Sequence, residues 1–221
     1  MVQEIIHVYL MPGMAASPKI FEHIKLPENQ FKIHLLEWII PIDNESLSDY
    51  ALRLSKHIKH INSILLGVSF GGVLVQEISK HIKVRKLIIV SSVKSMNELP
   101  KKMLLAKATK AYIFIPTQLA SKIEIFEKYA IGENIIKRVE LYKKYLSFND
   151  SKYLSWAIKE MVCWEQKEVI PDITHIHGDK DPVFPIKYIK NCIVVKNGSH
   201  IAIINKYKWF NENLPKLLLG S

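Results

Sequence analysis

Ile64-Leu65-Leu66-Gly67-Val68-Ser69-Phe70-Gly71-Gly72 is the stretch that decides how this chain folds. Its first half is apolar and too short for a helix, whereas from Phe70 onward Val73, Leu74, Ile78 and Ile82 recur at the helical period. A buried strand therefore passes into a helix with no loop between them. Such a corner forces Ser69 into a positive-φ conformation, and Gly67, Gly71 and Gly72 leave room for it. It also raises the Ser69 hydroxyl above the sheet and sets the next N–H, that of Phe70, at a helix N-terminus, where it can bind an oxyanion. A plain strand-to-helix turn capped by serine has the same local sequence, so residues farther along the chain must decide between the two.

Short apolar runs lie on both sides of this corner: Glu4 to Leu10, Phe31 to Trp38, Lys86 to Ser92, Ile173 to Ile176 and Cys192 to Val195. Helical patterns separate them, at Pro18 to Ile24, from Asn44 or Ser46 as cap to about Ile61, at Pro185 to Lys190, and from Asn205 to Leu219. Continuous apolar strands alternating with helices predict a parallel sheet covered on both faces, within an α/β fold. From about residue 94 to 168 the pattern is helical and rich in lysine and aromatics, among them Met103, Tyr112, Phe114, Phe126, Tyr129, Tyr142, Tyr145, Trp156 and Trp164.

Two polar loops follow later strands. One is His177-Gly178-Asp179-Lys180-Asp181-Pro182-Val183-Phe184-Pro185 and the other Asn197-Gly198-Ser199-His200. Each falls at the carboxyl end of a parallel strand, where open α/β sheets bind ligands. A serine hydroxyl becomes a useful nucleophile when an imidazole accepts its proton, and the imidazole needs an acceptor on its other nitrogen to fix the tautomer. Ser69, His200 and Asp181 are the candidates for nucleophile, base and orienting acid, with Asp179 the rival for the last role.

These motifs resemble the α/β-hydrolase superfamily over the whole chain. Gly67-Val68-Ser69-Phe70-Gly71-Gly72 is similar to its nucleophile corner, His177-Gly178-x-x-Asp181-x-x-x-Pro185 to its acid loop and Gly198-Ser199-His200 to its histidine loop. Within the superfamily the chain looks most like small esterases and thioesterases of the pimeloyl-carrier-protein esterase kind. The resemblance implies an α/β-hydrolase fold of about six parallel strands, lacking the usual first hairpin, with a helical lid inserted at about 94–151 in a single domain spanning 1–221. It selects Asp181 over Asp179, since the family's acid stands three residues beyond the Gly and four before the Pro. It also implies hydrolysis of a carboxylic ester or thioester of a small to medium acyl group through an acyl-enzyme, with the backbone N–H groups of Met14 and Phe70 as oxyanion donors. Gly13, Met14 and Phe70 would contact substrate, and Met103, Phe114 and Tyr145 would line the acyl pocket.

Two loops depart from the family pattern. The first reads Met11-Pro12-Gly13-Met14 where His-Gly is usual, and Pro12 has no N–H to offer. The second reads Glu37-Trp38-Ile39-Ile40-Pro41 in place of a Gly-x-Gly turn, which is expected to reshape the pocket floor.

Composition narrows the alternatives. The 221 residues, 48% of them apolar, suffice for one substantial core. The net charge of +10 comes almost wholly from dispersed lysine, with arginine only at Arg53, Arg85 and Arg138, and no Gly-rich phosphate loop or aromatic-basic ladder accompanies it. A nucleic-acid or membrane-surface protein is therefore not expected. Lys101, Lys102, Lys107 and Lys110 open the expected lid and make an acidic acyl carrier a candidate partner by steering. Cys163 and Cys192 are expected reduced and buried, and the acidic start Met1-Val2-Gln3-Glu4 is unlike a signal peptide, so a cytoplasmic protein is expected. His175 and His177 read as packing residues, and His57 and His60 as the exposed side of a Lys-rich helix. With no carboxylate near them at ligand spacing, neither metal nor cofactor is expected. The competing functional class is a non-catalytic binding protein on the same fold; oligomeric state is left open.

Overall fold

The computed structural model describes residues 4–117 and 144–220. Phe126, Tyr129 and Tyr142, and with them much of the expected lid, lie outside the described residues. The described strands are β1 (Ile6–Met11), β2 (Phe31–Leu35), β3 (Ile64–Val68), β4 (Lys86–Val90), β5 (Thr174–Gly178) and β6 (Ile193–Val195). All pair in parallel in one six-stranded sheet of order β2-β1-β3-β4-β5-β6. The order reverses at the β1/β3 pair, where Met11 registers with Gly67. That switch point leaves a crevice beyond the carboxyl ends of the two strands. The loop after β1 and the corner after β3 flank it.

Alternation along the strands feeds two cores. Tyr9, Met11, Leu65 and Ile89 face α1 (Leu47–Ser55), α2 (Phe70–Ser79) and α4 (Ser151–Cys163). Val8, Leu10, Leu66 and Ile88 face the 3₁₀ turn Pro18–Phe21, α5 (Ala202–Asn205) and α6 (Tyr207–Leu219). A strand buried on both faces needs no polar alternation, which is why the central β3 and β4 are apolar but for Lys86, whereas the edge strand β2 carries Lys32 and His34. Between β4 and α4 lies α3 (Lys101–Thr109), followed by the 3₁₀ turn Ala111–Phe114.

Several elements are shorter than expected. Pro18–Phe21 forms a single 3₁₀ turn where a helix to Ile24 was expected, the Glu22 N–H returning to the Lys19 carbonyl at 3.0 Å and the Ile24 N–H to that of Phe21 at 2.9 Å, three residues back instead of four. Ser46, the favoured cap, accepts from the Asp49 N–H at 3.1 Å and starts α1. That helix stops at Ser55 instead of reaching Ile61, and the Lys59 N–H goes to Tyr9 Oη at 3.0 Å. His57 is exposed as expected, but His60 falls in the turn after α1 and stacks on His7. Lys206 divides the final helical stretch into α5 and α6. Cys163 and Cys192 are free thiols, and both are partly exposed where burial was expected. No helix among the described residues is long and apolar enough to cross a membrane.

Candidate active site

Ser69 stands between β3 and α2 at φ 53° and ψ −122°, a conformation that only a closely fitted corner maintains. The fit is backbone on backbone. A Cβ at Gly67 would fall 2.2 Å from the Gly71 carbonyl oxygen, and one at Gly71 would fall 2.2 Å from that of Pro12. Glycine at these positions thus lets α2 pack against both β3 and the loop after β1. The Ser69 N–H donates to the Val90 carbonyl at 2.9 Å, and Ser92 Oγ donates to the Ser69 carbonyl at 2.7 Å, so β4 holds the corner from behind.

The three candidate side chains meet here. Ser69 Oγ is 2.9 Å from His200 Nε2, and His200 Nδ1 is 2.9 Å from Asp181 Oδ2. A carboxylate only accepts, which assigns the imidazole hydrogen to Nδ1 and leaves Nε2 free to accept from the serine hydroxyl. The other Asp181 oxygen, Oδ1, accepts the N–H groups of Val183 at 2.8 Å and Phe184 at 3.0 Å, locking the carboxylate's orientation. Asp181 is buried, whereas His200 is partly open to solvent. Asp179 does not join them: its Oδ1 is buried with no hydrogen-bond partner, and its N–H turns back to the Val195 carbonyl.

Behind Asp181, His177 donates from Nε2 to the Phe184 carbonyl at 2.8 Å and lies 3.1 Å from the His175 ring. Burial lowers the basicity of both, holding His175 down to about 2, so this pair is neutral packing beneath the acid loop, as expected from sequence.

The loop after β1 packs directly on the corner. A Cβ on Gly13 would meet Ser69 Cβ at 3.3 Å, so this position has little room for a side chain. Two residues that carry no motif brace the loop. The buried Trp38 donates from Nε1 to the Gly13 carbonyl at 2.8 Å and stacks on Phe70 at 5.3 Å between ring centroids and 8°. Tyr153 Oη accepts the Ala15 N–H at 3.3 Å. The departure at 37–41 thus puts an indole beneath the loop. The Phe70 N–H opens α2 and, as the first helical amide, has no partner within the helix.

Gly13, Met14, Ser69, Phe70 and His200 border a cavity of about 1010 Å³. Its walls are mainly apolar, with Met103, Tyr112 and Ile115 on one side and Met161, Val162 and Tyr145 among the rest. Met103 and Tyr145 are where the sequence placed them. Phe114 is a correction: it is 85% exposed, because the turn Ala111–Phe114 directs it outward. Lys102 is also at the rim, whereas Lys107 is paired with Glu165 at 2.9 Å.

No protein-family model and no curated protein matches this sequence. Solved structures do match. A thermophilic esterase from Thermogutta terrifontis is 11% identical with a TM-score of 0.70, over 99% of this chain and 91% of that one. A bromoperoxidase from Bacillus anthracis is 19% identical with a TM-score of 0.66, over 99% and 93%. A structure from the carboxylesterases of Nitrososphaera gargenis is 15% identical with a TM-score of 0.67, over 98% and 90%. Likeness of this extent, together with the parallel six-stranded sheet, shows that the chain has the α/β-hydrolase fold.

Proposed function

We propose that the chain is a serine hydrolase that cleaves a carboxylic ester or thioester through an acyl-enzyme. The observation that carries this reading is the Ser69–His200–Asp181 chain of two 2.9 Å contacts at the mouth of an apolar cavity. Ser69 Oγ attacks the acyl carbonyl carbon while its proton passes to His200 Nε2, and the carbonyl electron pair moves onto oxygen. The N–H groups of Phe70 and Met14 hold that oxyanion. Collapse re-forms the carbonyl and expels the alcohol or thiol, which takes the proton from His200. Water then attacks the acyl-enzyme with His200 again as base, and Ser69 leaves protonated. Asp181 keeps the imidazole in one tautomer and stabilises its cationic form. No step requires a cofactor.

The esterases among the structural neighbours support an ester as substrate. The apolar walls favour an uncharged acyl group of short to medium length, since each buried methylene contributes about 0.8 kcal/mol and a charged chain would lose its hydration. In this reading α3 and the turn after it form the described part of a lid at about 94–151 within one domain. Lys101 is exposed on α3, Lys110 is exposed just after it and Lys102 is at the cavity rim, which favours an acidic carrier as one form of leaving group. A rate advantage of carrier-bound over small neutral substrates at low salt, lost at high salt, checks that part.

The deciding experiment is labelling with a fluorophosphonate probe alongside hydrolysis of p-nitrophenyl esters of graded chain length. The native chain should label and turn over, and Ser69→Ala should do neither, with a loss of roughly a millionfold in turnover. Failure of the folded native chain to label favours the non-catalytic binding class. More than a few per cent of activity in Ser69→Ala overturns the assignment of the nucleophile.

A further inference from the structure

Away from the cavity, three histidines converge that ester chemistry does not use. His7 on β1, His34 on β2 and His60 in the turn after α1 each offer a ring nitrogen, and the three atoms lie within 4.8 Å of one another. His7 Nδ1 is 2.8 Å from His34 Nε2, and the His7 and His60 rings stack at 3.5 Å between centroids and 9°. We propose that His7, His34 and His60 bind one divalent first-row transition-metal ion of the zinc type, with a fourth position open to solvent.

The donor set decides the class of ion. Three imidazoles with no carboxylate in the group suit Zn²⁺, Ni²⁺, Cu²⁺ or Co²⁺ and not the oxygen-seeking Mg²⁺ or Ca²⁺. The spacing is close to what such an ion requires, since zinc–nitrogen bonds of about 2.0–2.1 Å around a tetrahedral centre set donors about 3.3 Å apart. The His7–His34 contact is slightly shorter than that and the 4.8 Å limit is longer, and the stacked His7 and His60 rings direct their in-plane lone pairs nearly parallel, so binding requires one of the two to swing about its side-chain torsions out of the stack. The ion takes the place of the hydrogen between His7 Nδ1 and His34 Nε2, each ring keeping its hydrogen on the other nitrogen.

The backbone aims the rings together. In the parallel register Tyr9 pairs with His34, and His7 lies two residues before Tyr9 on the same face, so β1 and β2 supply adjacent ligands. The buried Tyr9 supplies the orienting contact for the third: its Oη lies 2.7 Å from His60 Nδ1 and accepts the Lys59 N–H at 3.0 Å. A His60 Nδ1–H donated to that oxygen leaves Nε2 for the ion, the usual second-layer arrangement of a metal-bound histidine. All three histidines are partly exposed, and His34 and His60 border a groove of about 640 Å³ that gives the ion a path from solvent. Bound there, it would tie the edge strand β2 to β1 and to the turn that leads into β3.

The test uses the full chain, stripped with chelator and titrated with Zn²⁺ by calorimetry, with Co²⁺ as a spectroscopic substitute. One equivalent should bind, Co²⁺ should show the visible bands of a four-coordinate site, and Zn²⁺ should raise the melting temperature by mass action. His34→Ala and His60→Ala should abolish the bands, Tyr9→Phe should weaken binding about 10–100-fold, and His57→Ala and His81→Ala should change nothing. If a single alanine variant does not fold, His34→Gln and Tyr9→Phe provide the same comparison. Absence of a bound equivalent in the native chain overturns the proposal, as does undiminished binding in a variant lacking all three histidines. The readout is binding, so its failure is distinct from failure of the hydrolase reading.

Discussion

Replacing Ser69 by glycine and by alanine separates the strain of the corner from its chemistry. The residue sits at φ 53° and ψ −122°, which glycine enters freely and other residues enter at a cost of about 1–3 kcal/mol. Both substitutions remove Oγ and its 2.9 Å contact with His200, so that loss cancels in the comparison. Alanine keeps the strain. Glycine releases it, but its greater freedom in the unfolded chain offsets about 0.5–1 kcal/mol of the gain. Ser69→Gly should therefore be the more stable of the two by about 0.5–2 kcal/mol, the reverse of the order in an unstrained helix or strand. In melting temperature that corresponds to roughly 1–8 °C for a chain of this size. Equilibrium urea unfolding followed by circular dichroism measures the difference, and neither variant should hydrolyse an ester. An alanine variant more stable than the glycine one by about 0.5–1 kcal/mol, the full entropic difference, would show that the corner stores no strain.

Three other perturbations test the surroundings of Ser69. Asp181→Asn should lower kcat by about 10⁴-fold, because the amide favours the wrong His200 tautomer, while Asp179→Asn, which lacks contact with the imidazole, should have a minor effect; the reverse ranking in ester assays would move the acid. Trp38→Phe removes the 2.8 Å indole donor from the Gly13 carbonyl, which keeps the Ala16 N–H at 3.1 Å, so it should cost about 0.5–1.5 kcal/mol of stability for the hydrogen bond and, by loosening the loop that carries Met14, lower kcat about 10-fold with KM little changed; unaltered kcat would show that the loop is held by other contacts. Because burial holds His175 at about 2 in the folded chain, the unfolded chain alone takes up its proton as pH falls below the ordinary 6.5. Well below that pH this group alone costs about 1.4 kcal/mol of stability per pH unit, and His175→Asn should make the slope in urea unfolding between neutral and acid pH shallower by that share while the contribution of His177 stays, an unchanged slope arguing against it.

The sheet and the corner were legible in the sequence because both leave local marks. Strands buried on two faces are uninterrupted apolar runs, and the corner after β3 requires glycine wherever backbone meets backbone, as the 2.2 Å approaches at Gly67 and Gly71 demonstrate. The polar loops at 177–185 and 197–200 stood out for the same reason, since each interrupts an apolar run at a strand's carboxyl end. Tertiary structure alone decided what the polar tips of core residues touch. Trp38 read as the end of a strand and Tyr153 carried no signal of its own, yet their indole N–H and hydroxyl brace Gly13 and Ala15, positions 25 and 138 residues away. Beyond the end of α1 the Lys59 N–H finds Tyr9 Oη, 50 residues away, and the meeting of His7, His34 and His60 depends on strand register and a turn. Hydrophobic period reports which face of an element is buried. It carries no information on which distant group will lie opposite a side chain's single donor or acceptor, and those pairings are set only when the layers close on one another.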